Sequence, residues 1–89
     1  MKITQNEKRQ QFELRKDKQL AELQYRIHAG KMYFMKTKVP DALAGQGIAS
    51  TLVKAGLAFA KENKLPIVVY CSFTKGYLER HPEYRDLLA

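Results

Sequence analysis

Three short stretches of this sequence carry groups able to do chemistry. The first is Ala44-Gly45-Gln46-Gly47-Ile48-Ala49, two glycines leading into an apolar periodic segment. Glycine lets the backbone approach a ligand closely and take conformations other residues avoid. A following helix adds unpaired N–H donors and the positive end of its dipole, which together bind phosphate. The stretch is not a dinucleotide fingerprint, since G-x-G-x-x-G is incomplete, and not a P-loop, since no Gly-Lys-Ser/Thr follows. On its own it reads more simply as a glycine turn that starts a helix. The second stretch is Cys71-Ser72. A helix N-terminus lowers a thiol pKa from roughly 8.5, so Cys71 is a candidate reactive or acyl-accepting thiol. Its alternative is an inert cysteine packed as a small hydrophobe. The third is Tyr77-Leu78-Glu79-Arg80-His81-Pro82-Glu83-Tyr84, in which Glu79 reads as a solvated helix residue and His81 as a hydrogen-bonding group at a helix start. His28 falls in an exposed turn. Two histidines and one cysteine without ligand spacing predict no metal.

Hydrophobic periodicity supplies the scaffold for these groups. Residues 11–15 alternate with Phe12 and Leu14 on one face. Residues 19–27 set Ala21, Leu23, Tyr25 and Ile27 against Glu22, Gln24 and Arg26. Both predict half-buried antiparallel strands. Turns fall at 16–18 and at the glycine-bearing 28–31. A third strand over 32–39 is stopped by Pro40. The period then lengthens. Ile48, Leu52, Ala55 and Phe59 predict an amphipathic helix over 46–62, with a small flank of Ala49, Val53, Gly56 and Ala60. Asn63 in a left-handed conformation would end it before Pro66. The apolar run 67–71 predicts a strand buried on both faces, parallel to the third. Ser72 would cap a second helix over 73–80, and Pro82 would open a last turn through Leu88. The expected fold class is α/β: an antiparallel three-strand meander, a helix, a parallel strand and a C-terminal helix, in one domain over 1–89.

Bulk properties narrow the partners. The 89 residues are 45% hydrophobic and 28% charged, as in a soluble globular domain. A chain of this size buries only roughly 60% of its unfolded surface. No apolar run reaches the roughly 18 residues of a membrane span, the first residues lack the apolar centre of a secretion signal, and a single cysteine allows no internal disulfide. A reducing cytoplasm and a monomer are the expectations. A net charge of +7 implies an anionic partner. Because the cations are scattered rather than blocked, a nucleic-acid tail is disfavoured.

The stretch 39–49, together with Cys71-Ser72-Phe73 and the 77–84 motif, resembles the GNAT acyltransferase superfamily, in a compact single-domain subgroup related to YjdJ-type proteins. The resemblance covers about residues 12–88. There the pyrophosphate segment reads Arg/Gln-x-x-Gly-x-Gly/Ala. Ala44 stands where Arg or Gln is usual, and Lys36 where the subgroup often has His. The resemblance implies acetyl-CoA in a cleft between splayed third and fourth predicted strands. Its pyrophosphate would rest on the amides of Leu43, Ala44, Gly45, Gln46, Gly47, Ile48, Ala49 and Ser50. Its pantetheine would pair with the backbone near Thr37 and Val39, with Lys75 or Lys54 meeting the adenosine end. It also implies Tyr77 as proton donor to the departing thiolate, against a packing role, and raises Cys71 as a catalytic candidate. The expected activity is acetyl-CoA-dependent N-acetylation of an unidentified small amine, or of a neutral or acidic protein surface. Its rivals are a non-catalytic acyl-CoA-binding module and a basic nucleic-acid-binding domain.

Overall fold

The sheet begins earlier than the alternation suggests. In the computed structural model, which describes residues 2–89, the polar segment Thr4–Asn6 forms β1. It pairs antiparallel with β2 (Gln11–Lys16) through Thr4↔Glu13 and Asn6↔Gln11. Its composition carries no strand signal; the unpaired backbone edge of β2 recruits it. β3 (Gln19–His28) and β4 (Lys31–Lys38) complete the predicted meander. The connecting turns place Asp17 and Lys18 at φ 51° and 64°, and Ala29 and Gly30 at 52° and 74°. Positive φ at both central residues matches the right-handed twist of the flanking strands.

Register decides which face is apolar. The pairs Phe12↔Leu23, Leu14↔Ala21 and Tyr25↔Phe34 align the buried set on one side of the sheet. Against it packs α1 (Ile48–Glu62), burying Ile48, Leu52, Val53, Gly56, Leu57 and Ala60. The inward stripe is therefore rotated from the predicted one. Ala55 and Phe59 lie at its flank, partly buried, and Leu57 takes the centre. Gly56 permits the contact: a Cβ there would sit 2.9 Å from Phe34 Cε2 and 3.0 Å from Leu23 Cδ2.

The strands lie in the order β1-β2-β3-β4-β5, with β5 (Ile67–Val69) parallel to β4 as expected. Burial on both faces does not hold for β5. Ile67 is buried, Val68 and Val69 are half-buried, and Tyr70 is 65% exposed. β5 ends the sheet, and its outer edge carries no further strand among the described residues; the tail meets it there through the Ala89 N–H to the Ile67 carbonyl at 2.9 Å. An apolar run has no periodicity to separate a central strand from a marginal one. Helix ends also differ in detail. α1 starts at Ile48 behind Gly47. Asn63 keeps φ at −95° and Lys64 takes the left-handed turn at 55°. α2 (Ser72–Arg80) contains Ser72 as its first residue, so Cys71 is the capping position and Ser72 makes no side-chain cap. A 3-10 turn, Pro82–Leu87, follows. No helix among the described residues is long and apolar enough to cross a membrane.

Candidate functional site

One extra residue opens the sheet. Pairing of β3 with β4 steps from Tyr25↔Phe34 to Gln24↔Lys36, which leaves Met35 as a bulge. A bulge bends its strand and sharpens the local twist. On the other side of β4, parallel pairing stops at the same point, with Phe34↔Val69 the last pair. The Phe34 carbonyl accepts both the Tyr70 N–H (2.9 Å) and the Cys71 N–H (3.1 Å). Beyond that shared oxygen the strands part. A cavity of about 310 Å³ lies between residues 35–37 and residues 70–73.

The glycine loop stands next to this opening. A 3-10 turn, Asp41–Leu43, leads from β4 into it. Leu43 and Ile48 are each 1% exposed and pin its two ends to the core, while Ala44, Gly45, Gln46 and Gly47 stay exposed. Gly45 and Gly47 have φ of 78° and 72°, and a Cβ at either would meet nothing within 4 Å. The loop therefore faces open space with a backbone only glycine adopts readily. Its cavity of about 280 Å³ is bounded by Val39, most of the loop, Ala49, Ser50 and Phe73. Phe73 also lines the cavity between the strands, so the two meet there.

Cys71 lines the cavity between the strands, two residues before that junction, and is 7% exposed. Its Sγ lies 3.1 Å from Thr37 Oγ1, a contact across the parted strands. Burial pushes the thiol pKa up. Hydrogen bonds from the Thr37 hydroxyl and from the amides of Thr74 and Phe73 outweigh burial, so the net shift is downward. The Thr74 hydroxyl is fully buried beside the sulfur and makes no hydrogen bond of ordinary geometry, so it acts there as a nearby dipole.

The predicted site residues are thus divided. Thr37 and Cys71 line the opening between the strands, as does Lys36. Val39, Leu43, Ala44, Gly45, Gly47, Ile48, Ala49 and Ser50 line the loop cavity. Gln46 instead turns its side-chain carbonyl to Lys16 Nζ, which donates to it from the end of β2. Lys16 is a neighbour the sequence reading missed, because thirty positions separate the two. Lys75 and Tyr77 are not brought to the trough that these two joined cavities form. Lys75 lines a larger cavity of about 350 Å³, between Val69 of β5, α2 and the tail, that has no lining residue in common with the other two cavities. Tyr77 is buried with its ring stacked on His81 at 4.2 Å, and burial, then Tyr84 and Glu83, raise its pKa. Among the described residues no group of three or more His, Cys, Asp or Glu could hold a metal.

A five-stranded sheet whose parallel pair parts beside a glycine loop at a helix start defines a GNAT-like fold. The family description "GCN5-related N-acetyl-transferase" matches residues 11–87, and the chain belongs to that family. It is 32% identical over 85 residues to Protein NATD1 of Xenopus tropicalis, covering 92% of this chain and 78% of that protein. Against Protein NATD1 of Homo sapiens it is 41% identical over 46 residues, 52% of this chain and 41% of that one. The solution structure of a GCN5-like protein from Staphylococcus aureus superposes with a TM-score of 0.77 at 36% identity, covering 99% of this chain and 87% of that one.

Proposed function

We propose that this domain binds acetyl-CoA in the trough and transfers the acetyl group to an amine. The parting of β4 and β5 immediately beside the glycine loop carries this reading. The loop amides and the first turn of α1 offer donors to a diphosphate, and the open space at Gly45 and Gly47 leaves room for one. Residues 35–38 of β4 have no strand partner on the β5 side, so their backbone is available to the amides of a pantetheine arm. Bound there, the cofactor supplies an acetyl thioester activated toward nitrogen nucleophiles. We assign Cys71 Sγ the role of acyl acceptor, because its thiolate is favoured by donors from both sides of the opening. It gains the acetyl group as the thioester bond to the cofactor breaks. It regains its thiolate when the amine takes that group and gives up a proton to solvent or to the cofactor thiolate released in the first step. Proton transfer is not assigned to Tyr77, which faces His81.

Calorimetric titration with acetyl-CoA, desulfo-CoA and a short oligonucleotide tests the binding half. Saturable cofactor binding without comparable oligonucleotide binding is expected, and Gly47→Glu should abolish it by placing a strained, negatively charged side chain in the cradle. Retained affinity in that variant sinks the assignment. Cys71→Ala should bind acetyl-CoA normally and transfer poorly to an amine panel; unchanged turnover removes the thiol from the reaction and leaves direct transfer.

A further inference from the structure

We propose that Lys16, at the end of β2, is a phosphate-binding residue of the acetyl-CoA site. The segment from Ala42 to Val53 contains no charged side chain, so the cradle has no cation of its own. Lys16 brings one to it from a distant part of the chain, donating from Nζ to the side-chain carbonyl of Gln46, between the two positive-φ glycines. The lysine is exposed, and no carboxylate lies within ion-pair distance of it among the described residues. A neutral amide oxygen occupies one of the three donors of the ammonium and leaves its charge uncompensated. The turn at Asp17 and Lys18 is only two residues long, and Lys16↔Gln19 is the last pair of the ladder, so the backbone beneath the ammonium is fixed. The geometry is that of a preplaced cation at the rim of an anion cradle built from main-chain amides.

The role presupposes the acetyl-CoA reading above, and its failure can be told apart from the failure of that reading. Wild type, Lys16→Arg, Lys16→Gln, Lys16→Ala and Lys16→Glu are titrated by calorimetry with acetyl-CoA and with its 3′-dephospho analogue, at low salt and at about 1 M salt. An exposed charge contact of this kind is worth about three- to fivefold in affinity. Lys16→Ala and Lys16→Gln should lose that factor alike, Lys16→Glu more, and Lys16→Arg little. The differences should collapse at high salt, where the screening length falls to about 3 Å. An equal loss with both ligands assigns the contact to the diphosphate, and a loss confined to acetyl-CoA assigns it to the 3′-phosphate. Full affinity in Lys16→Gln makes the lysine a hydrogen-bonding prop for Gln46 and overturns the proposal, as does unchanged affinity in Lys16→Glu. Absence of acetyl-CoA binding by wild type overturns the cofactor reading, and this role with it.

Discussion

The two halves of β4 are built on different terms. Residues 32–34 are paired with β3 on one side and β5 on the other, and Met32 and Phe34 are wholly buried. Residues 36–38 keep β3, all of residues 35–38 have lost β5, and only Thr37 among them is half-buried. One extra residue, Met35, separates the regimes. The difference teaches that this cleft is made by withdrawing a partner strand rather than by assembling charged side chains. Backbone groups freed from a ladder still require hydrogen-bond partners, and a ligand with amides of its own can supply them.

Breaking the paired half should have the largest effect. Phe34→Ala removes a fully buried ring and should cost about 3–5 kcal/mol, read as a lower denaturant midpoint at unchanged slope. A loss below about 1 kcal/mol would erase the distinction between the halves, since it would match an exposed site. Gly56→Ala strikes the same half through the helix that covers it. Crowding against Phe34 and Leu23 costs about 1–3 kcal/mol, offset by about 1 kcal/mol of helix propensity, so net destabilisation near 1 kcal/mol is expected. A stabilised variant would show that α1 can move away from the sheet.

Thr37→Val probes the open half and should leave stability within about 1 kcal/mol, since one modest hydrogen bond is removed. Its effect belongs to Cys71. The folded thiol pKa lies below the unfolded one, so between the two values the unfolded chain holds more protons and stability rises with pH. That contribution is lost as pH falls through the folded pKa. Removing the Thr37 hydroxyl should raise the folded pKa and narrow the window. Iodoacetamide alkylation followed against pH should therefore show a midpoint displaced upward. An unchanged midpoint would mean that the α2 amides alone hold the thiolate.

Strands with strict alternation were legible, because period two and a buried face leave one register. Leu14 and Leu23 identify β2 and β3, and the change to three- and four-residue spacing after Gly47 identifies α1. The glycine loop and the cysteine after the last strand were legible as candidates, since each depends on local residue type. β1 was not, for it is a polar segment held by the edge of another strand. The marginal position of β5 was hidden by its uninterrupted apolar run, and the different neighbourhoods of Lys75 and Tyr77 by their closeness in sequence to Cys71.

Residue types and spacing alone set the order of elements after β1, the apolar face of the sheet from Phe12 to Tyr25, and a glycine turn without charged side chains at the start of α1. These follow from periodicity and from what glycine alone permits. Only the tertiary structure decided that Met35 bulges, that β5 leaves β4 after Phe34, that Thr37 faces Cys71, and that Lys16 reaches Gln46. Each depends on the distance between segments remote along the chain, which no local pattern encodes.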